Sequence, residues 1–387
     1  MKAGSSGDWH VTSGPRLADT LGVLEWVAAD GAEQGVDLWL IGGDLAGTHD
    51  VPHVADVWER RGIVATVRKG ADQAPVVILY GNHDMAADLE VYGHLAGAHP
   101  IHVVTEPSIL TVAGAQVVCV PYPRRGYWLE RAGEGTVTDQ NAAASDALYA
   151  WLVEACREAR RRGGPVIVFA HCNVIGSKVG GDEILSGHEV ELSVDQLDAL
   201  PADYIALSHI HRHQRLGRRA WFPGSPTAQT FGETEIKGYI VANIEPGVPP
   251  IVDFRPTPTR RMVTVDARWD GEQFAVAEAE IPAGAEVKVR LAIPEQYIGT
   301  CPTAQLEGRF GGAHSVVVDP TVVPLQRVRS EAIQHARTNE ERLAAWWESL
   351  GDAAPDAATR DRMLAKLADI EAELAAGTDT STAAEAA

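Results

Sequence analysis

Histidine and aspartate recur at the ends of apolar runs in this chain. Asp8 and His10 form an Asp-x-His pair near the start, Asp44 follows a second run, and a third run from Val76 turns at Gly81. Buried strands of parallel sheets have this apolar composition, and α/β sheets bind ligands at the carboxyl ends of such strands. We therefore predict one site that gathers side chains from several strand ends. Its candidate residues are Asp8, His10, Asp44, Asn82, His83, Asp84, His171, His209 and His211.

These side chains favour a hydrolytic metal centre. Imidazole, carboxylate and carboxamide ligands without cysteine suit manganese, iron or zinc in hydrolytic sites better than a structural zinc. Two such ions about 3.5 to 4 Å apart need roughly seven protein ligands with one bridging carboxylate, and the strand ends supply that number. A metal-bridging hydroxide can attack phosphorus in line while the ions neutralise the transition state. The residues therefore predict a dinuclear centre.

Composition indicates a globular protein and limits its partners. The chain has 387 residues, of which 45% are apolar, and its 33 basic and 53 acidic side chains give a formal net charge of −20. This length allows two or three domains and a large core. The negative charge repels polyanions, so a nucleic-acid partner requires local attraction, for example from bound divalent ions.

Two further features bear on location and redox state. The chain has no run of about 20 apolar residues, and residues 1–6 lack the apolar segment of a signal peptide. We therefore expect a cytoplasmic protein with no membrane partner. The four cysteines form no Cys-x-x-Cys pair, so we expect reduced core thiols rather than disulfides or a zinc cluster.

Strands and helices are predicted to alternate through the first part of the chain. The first half has a βαβαβ order typical of layered α/β folds, with strands at 2–7, 37–42 and 75–80 and helices at 15–34 and 52–69. Two further runs, at 109–112 and 116–120, predict a hairpin and hence a mixed sheet system. The elements that follow are a helix at 142–162, strands at 165–170 and 203–208, a short helix capped by Ser193 and Gln196, and a second set of strands at 220–222, 238–244 and 250–254.

The repeating pattern changes three times after the last of these strands. Prolines interrupt it near residue 256, an alternation of apolar and polar residues follows, and helical periodicity begins after Pro324. The final residues are small and polar and are expected to be disordered. The predicted parts are a catalytic domain at 1–256, a small α+β capping domain at 257–323, C-terminal helices at 324–376 and a disordered tail at 377–387.

Five motifs in a fixed order resemble the signature of the calcineurin-like metallophosphoesterases. The motifs are Asp8-Trp9-His10, Gly43-Asp44, Gly81-Asn82-His83-Asp84, His171 and His209-Ile210-His211. The resemblance implies a four-layer α/β sandwich in which helices flank two mixed sheets. Within the superfamily, three segments resemble the SbcD-type DNA repair nucleases, namely Leu207-Ser208-His209-Ile210-His211-Arg212, Pro223-Gly224-Ser225-Pro226 and Lys237-Gly238-Tyr239.

The resemblance also implies a role for each site residue. The residues implied for one ion are Asp8, His10, Asp44 and His211. The residues implied for the other ion are Asp44, Asn82, His171 and His209, so Asp44 would bridge the pair. His83 would contact the scissile phosphate and protonate the leaving oxygen as a general acid, with Asp84 orienting its imidazole.

The SbcD-type resemblance implies an activity and partners as well. It implies two divalent ions, preferably Mn²⁺, and an exonuclease and endonuclease activity on DNA in repair or recombination. It also implies an SbcC-type coiled-coil ATPase partner, with this chain as a homodimer within a heterotetramer. A stripe at coiled-coil-like spacing is then either a packing face within the protein or the partner surface, and it comprises Met363, Leu367, Ile370 and Leu374.

Two other functions stay open at this point. The metal motifs alone do not choose a substrate, so a phosphoesterase acting on nucleotides or other small phosphoesters is the first alternative. A non-catalytic adaptor for an ATPase partner is the second, and the complete set of candidate ligands argues against it.

Three positions depart from the family's pattern. Ser208 stands where the family has glycine, a change that its small side chain should tolerate. Gly47 stands where the family often has histidine, so a secondary role at the site is vacant unless His49 supplies it. Residues 2–6 are small and polar, so their poor strand preference predicts lower stability rather than lost activity.

Overall fold

The structure is a computed structural model that describes residues 1–47, 53–129, 136–179, 189–324 and 331–378. Its strands are β1 (Lys2–Ser6), β2 (Leu38–Ile41), β3 (Val76–Leu79), β4 (Ile101–Val104), β5 (Ser108–Val112), β6 (Ala115–Val120), β7 (Val166–His171), β8 (Asn173–Val174), β9 (Glu191–Leu192), β10 (Tyr204–Ser208), β11 (Gln214–Leu216), β12 (Ala220–Phe222), β13 (Gly238–Asn243), β14 (Ile251–Pro256), β15 (Met262–Trp269), β16 (Phe274–Val276), β17 (Glu286–Pro294) and β18 (Ser315–Val323). Its α-helices are α1 (Leu17–Gln34), α2 (Val57–Ala71), α3 (Ala86–Glu90), α4 (Arg125–Leu129), α5 (Val137–Arg162), α6 (Val194–Ala199), α7 (Thr303–Glu307), α8 (Glu331–His335), α9 (Asn339–Leu350) and α10 (Ala357–Thr378).

Two six-stranded sheets carry the candidate site residues. The first sheet has the order β14-β13-β1-β2-β3-β4, and the second has the order β11-β12-β10-β7-β6-β5. In the first sheet β1 to β4 run parallel, whereas β13 and β14 join antiparallel. In the second sheet β6, β7, β10 and β12 run parallel between two antiparallel edge strands. Both sheets are therefore mixed, as predicted.

The strands predicted at 220–222, 238–244 and 250–254 are present, but they do not share one sheet. Strands β13 and β14 extend the first sheet beside β1. Of that predicted set, β12 alone lies in the second sheet, next to β10. Alternation of side chains indicates a strand, whereas its neighbour depends on how distant segments pack.

Alternate residues of the buried strands face different layers, as the two-residue period of a strand requires. In β2, Leu38 and Leu40 pack in the cluster between the sheets, whereas Trp39 and Ile41 pack against α1 and α2. In β7, Phe169 also enters the cluster between the sheets, and neighbouring residues pack against α5. The layers are helix, sheet, sheet, helix, which confirms the predicted four-layer fold.

The small residues of β1 leave space for a large neighbour. A Cβ added at Gly4 would lie 2.7 Å from the ring of Trp39, and one added at Gly31 would overlap the same ring. Trp39 is only 3% exposed, so its ring fills the layer between β1, β2 and α1. The small residues of the first strand therefore make room for the large indole ring of Trp39.

Side-chain caps set several helix boundaries. The Ser193–Gln196 box at α6 is present as predicted, and Thr338 and Glu341 form another box at α9. The predicted start of α2 at residue 52 is wrong, because Asp56 and Glu59 form a capping box and residues 53–56 are not helical. The start of α5 lies earlier than expected because Thr136 and Asp139 form another box.

Beyond the two sheets, β16-β15-β17-β18 form a four-stranded sheet. The chain forms two compact units. One unit comprises Met1–Arg268, Phe274–Leu291 and Pro302–Pro320, and the other comprises Trp269–Gln273, Ala292–Cys301 and Thr321–Ala387. The predicted domain boundaries stay predictions. The same holds for the predicted tail at 377–387, since α10 reaches Thr378 and residues 379–387 lie outside the described part.

The cysteines and the helices also bear on the earlier expectations. All four cysteines are free thiols, of which Cys119, Cys156 and Cys172 are buried and Cys301 is partly exposed. The expectation of core thiols therefore holds for three of the four. In the described part of the chain, no helix combines the length and apolarity that crossing a membrane requires.

Candidate metal centre

The candidate residues meet at the carboxyl ends of parallel strands from both sheets. Asp8 and His10 follow β1, Asp44 follows β2, and the remaining members follow β3, end β7 or follow β10. Among the described residues, five other than glycine have positive φ, and four belong to this group: Asp8 at 52°, His10 at 43°, Asp44 at 50° and His209 at 102°. Such backbone conformations cost about 1 to 3 kcal/mol each and cluster at functional sites. The fold therefore holds these residues in a strained arrangement.

Two glycines permit the sheets to approach closely at this point. A Cβ added at Gly7 or at Gly42 would overlap the Oγ of Ser208. The hydroxyl of Ser208 donates a hydrogen bond to Oδ2 of Asp8 at 2.8 Å. The backbone N–H of His209 also donates to Asp8, at 3.1 Å to Oδ1. Ser208 therefore has both space and a polar partner.

The first cluster consists of Asp8, His10 and His211, whose candidate ligand atoms lie within 4.8 Å of one another. Nδ1 of His10 donates to the carbonyl of Gly47 at 3.1 Å, and Nδ1 of His211 lies 3.5 Å from a carboxylate oxygen of Glu233. With Nδ1 as the donor in each ring, both Nε2 atoms carry lone pairs. These two Nε2 atoms face each other at 3.1 Å. Facing lone pairs of this kind fit a shared cation.

The second cluster consists of Asp44, His171 and His209, again within 4.8 Å, with Asn82 beside them. Nδ1 of His171 donates to the carbonyl of Gly42 at 2.5 Å, so Nε2 is the nitrogen that would bind a metal after losing its proton. That Nε2 lies 3.0 Å from Oδ1 of Asn82 and 3.4 Å from Oδ2 of Asp44. Nδ1 of His209 lies 2.9 Å from the same oxygen of Asn82. Acceptors converge here as well, and their chemistry fits a divalent metal.

Asp44, a member of the second cluster, also faces the first. Its Oδ2 is 3.4 Å from Nε2 of His171 and 4.0 Å from Nε2 of His10. Its Oδ1 accepts the backbone N–H of His83 at 2.8 Å, which fixes the orientation of the carboxylate. One carboxylate oxygen is therefore directed at both clusters, the position that a bridging ligand occupies.

The pKa shifts follow from burial and from the charges of neighbouring groups. Burial, reinforced by the charge of His211, lowers the pKa of His10 to about 4. Burial also lowers the pKa of His171, but the carboxylate of Asp44 outweighs it and raises that pKa to about 9. Burial raises the pKa of Asp44, yet the charge of His171 and its hydrogen bond hold that pKa well below the ordinary value. The Asp44 carboxylate is therefore ionised at neutral pH.

Among the described residues, the carboxylate of Asp84 makes no hydrogen bond to the imidazole of His83. Its carboxylate accepts the backbone N–H groups of Asp44 at 2.7 Å, Gly81 at 2.9 Å and Leu45 at 3.0 Å. The buried Nδ1 of His83 has no hydrogen-bond partner among the described residues. The prediction that Asp84 orients this imidazole therefore has no hydrogen bond to support it, and Asp84 instead ties the loop after β2 to the loop after β3.

His83 nevertheless lies beside the first cluster. Its ring centroid is 5.4 Å from that of His10, in an edge-to-face arrangement, and its side chain is partly exposed. It belongs to neither group of convergent ligand atoms. This placement leaves the imidazole available to a substrate.

Reasoning from the sequence missed several neighbours of the centre. Glu189 and Glu233 contact the outer nitrogens of His209 and His211, and Tyr122 contacts the ring of His209. None belongs to a motif, and the pairing of a glutamate with a distant histidine leaves no periodic signal. Glu189 lies in the stretch His188-Glu189-Val190-Glu191, which has no local pattern that marks it as a partner of the centre.

The space beside Gly47 is also filled by a residue outside the motifs. His49 lies outside the described residues. A Cβ added at Gly47 would overlap the Cβ of His53. The ring of His53 pairs with Glu59 at 2.7 Å, and its backbone N–H donates to the carbonyl of His83 at 2.9 Å. His53 therefore closes the loop on this side of the centre.

The chain belongs to the calcineurin-like phosphoesterase family, whose sequence model matches residues 1–213. It is similar to the SbcD subunit of the nuclease SbcCD from Escherichia coli (strain K12), with 27% identity over 264 residues, which are 62% of this chain and 64% of that protein. The SbcD subunit of Bacillus subtilis (strain 168) is 25% identical over 268 residues, 64% of this chain and 67% of that protein. The chain thus spans just under two thirds of the Escherichia coli relative.

Two solved structures resemble this chain with low TM-scores and low sequence identity. GAP50 of Plasmodium has a TM-score of 0.43 with 11% identity, over 66% of this chain and 84% of that chain. A dimetal phosphatase from Danio rerio has a TM-score of 0.38 with 10% identity, over 65% of this chain and 98% of that chain. At these scores neither similarity bears on function. Family membership indicates a phosphoesterase, and the two clusters support divalent metals.

Proposed function

We propose that this protein is a two-metal-dependent nuclease that hydrolyses phosphodiester bonds of DNA, the nuclease subunit of an SbcCD-like complex in repair or recombination. The observation that carries the proposal is the convergence of two groups of acceptor atoms on either side of one Asp44 oxygen. The relatives named as the SbcD subunit of the nuclease SbcCD supply the substrate class.

The proposed ligand sets follow the two clusters. Asp8, His10 and His211 would hold one ion, and Asn82, His171 and His209 the other, with Asp44 shared. When bound, two divalent ions, preferably Mn²⁺, supply an activated water and neutralise negative charge at the phosphate. The chain's own contribution is to hold seven acceptors in place before any substrate arrives, which avoids reorganisation during the reaction.

His83 has a separate proposed role as the general acid. Its imidazole lies next to His10 but outside the ligand groups, so it can face the scissile phosphate and give a proton to the leaving oxygen. Asp84 supports this role through the backbone, because it holds the N–H groups of Gly81 and Asp44 on either side of the site. We therefore assign Asp84 to positioning of the loops.

A partner explains how an acidic chain engages DNA. The net charge of −20 gives little long-range attraction for a polyanion. We propose that an SbcC-type coiled-coil ATPase binds the C-terminal helices and that this chain is a homodimer within that complex. In α10, Met363 and Leu367 are partly buried, whereas Ile370 is 42% exposed and Leu374 is 67% exposed. This half-exposed stripe supports a docking role.

One experiment tests the activity directly. Purified protein is incubated with Mn²⁺ and linear duplex DNA, single-stranded DNA or a generic phosphodiester, each with and without EDTA. We expect the wild type to cleave DNA and EDTA to abolish this cleavage. The control variant His99→Ala, which changes an exposed histidine, should cleave DNA like the wild type. Cleavage of the generic phosphodiester alone would favour the small-phosphoester alternative. No cleavage of any substrate, with Mn²⁺ bound, would favour the non-catalytic adaptor.

A further inference from the structure

The four histidines of the centre are supported in two different ways. Backbone carbonyls accept from His10 at 3.1 Å and from His171 at 2.5 Å. Carboxylates support the other two, with Glu189 at 3.0 Å from Nε2 of His209 and Glu233 at 3.5 Å from Nδ1 of His211. Carboxylates behind metal-binding imidazoles fix the tautomer and raise the basicity of the ligating nitrogen. The two glutamates therefore occupy positions from which they influence the metals.

Glu189 directs its charge at His209. Its charge also acts on Tyr122, because it adds to burial in raising the pKa of that phenol. The ring of Tyr122 lies 5.7 Å from that of His209 and 6.1 Å from that of His171. The side chain of Glu189 is 31% exposed. Within the described ranges, no lysine or arginine forms an ion pair with it. Its negative charge is therefore left for the imidazole and for whatever the imidazole binds.

Glu233 has a different environment. It is 8% exposed and forms an ion pair with Lys237, which is 2% exposed. The ammonium of Lys237 also pairs with Glu235 at 2.6 Å and donates to the backbone carbonyl of His211 at 2.9 Å. The lysine thus compensates the charge of Glu233, and the contact from Glu233 to His211 is the longer of the two glutamate–histidine contacts. Its influence on a metal should be smaller.

We propose that Glu189 is a positioning residue for the ion of the second cluster. By accepting the Nε2–H of His209, it keeps Nδ1 of that ring directed at Asn82 and adds negative charge on this side of the centre. The ring of Tyr122 packs beside the same imidazole. The inference rests on the proposed metal centre and adds a residue that no motif contains.

Binding of Mn²⁺ alone tests the inference. Calorimetric titration is performed on the wild type, on Glu189→Gln, and on Glu245→Gln, a control that removes one exposed carboxylate in the turn after β13. We expect Glu189→Gln to weaken one of two equivalents by about 10- to 100-fold and leave the other unchanged. The control should match the wild type. Equal affinities in Glu189→Gln and the control would overturn the inference.

A double-mutant cycle shows whether the effect passes through His209. In a His209→Ala background, Glu189→Gln should change the affinity of the weakened equivalent by less than about 3-fold, because the imidazole that it supports is gone. A loss as large as that in the wild-type background would overturn the assignment to His209. Electron paramagnetic resonance of Mn²⁺ adds an independent readout, since a coupled pair of ions should give way to an isolated ion in Glu189→Gln.

Two further variants separate positioning from folding. Thermal unfolding in EDTA should be the same for Glu189→Gln and the wild type, and Tyr122→Phe should weaken the same equivalent by a smaller factor without any change of charge. If Glu189→Gln unfolds early in EDTA and Tyr122→Phe leaves the affinity unchanged, the role is structural and the inference is wrong. A wild type that binds no Mn²⁺ would instead overturn the proposed function itself.

Discussion

The two sheets contribute different chemistry to one centre. Every candidate oxygen ligand comes from the first sheet, from Asp8, Asp44 and Asn82, whereas three of the four candidate imidazoles come from the second sheet. Each cluster nevertheless draws on both sheets. Neither sheet alone therefore assembles an ion site, and the apolar layer between β2 and β7 aligns the carboxylates with the imidazoles. Metal binding by this protein should therefore depend on how the two sheets pack against each other.

Asp44→Ala should have the largest effect, because this first-sheet side chain is directed at both clusters. We expect loss of both ions and a fall of DNA cleavage to background. Metal analysis of the purified variant measures this outcome, with His99→Ala as the control. Retention of two tightly bound equivalents would mean that Asp44 does not bridge and that the clusters are independent.

His83→Ala should separate chemistry from binding. The residue also follows a first-sheet strand, but it lies outside both ligand groups. We expect turnover to fall by about 100-fold or more, the usual scale for loss of a general acid, with unchanged metal content. Steady-state kinetics and metal analysis on the same preparation measure both quantities. If metal content falls instead, His83 belongs among the ligands.

Ser208→Ala tests the contact where the sheets approach most closely. The change removes the hydrogen bond of 2.8 Å from the Ser208 hydroxyl to Asp8. A hydrogen bond to a charged group contributes about 1.5 to 3 kcal/mol, so unfolding in EDTA should occur at lower denaturant concentration. Chemical denaturation of both proteins measures the difference in unfolding free energy. A variant as stable as the wild type would show that this contact does not stabilise the packed sheets.

Removal of the C-terminal helices should have the smallest effect on the centre. A chain ending after Pro324 keeps both sheets and lacks α8, α9 and α10. We expect Mn²⁺-dependent cleavage of a generic phosphodiester to persist, while co-purification with an SbcC-type ATPase is lost. Loss of folding, or unchanged ATPase association, would show that these helices are not the partner surface. Trp346 offers a milder variant, because it is 40% exposed on α9 whereas Trp347 is 7% exposed.

The sequence by itself determined the layered fold and the members of the two clusters. An apolar run indicates a buried strand, and the Asp, Asn or His residues that follow it indicate metal ligands, as in Gly81-Asn82-His83-Asp84. The capping box at Ser193 and Gln196 is equally local. Such features depend on residues that are adjacent along the chain, so they are legible without a structure.

Only the tertiary structure decided which distant groups meet. It joined β13 and β14 to the first sheet, directed Asp84 to backbone N–H groups, and brought Glu189 and Glu233 behind His209 and His211. The physical reason is that sheet order and hydrogen-bond partners follow from packing between segments far apart in the chain. A sequence offers each polar side chain many possible hydrogen-bond partners. The folded protein brings only a few of them within reach, and a buried polar group must bond to one of these.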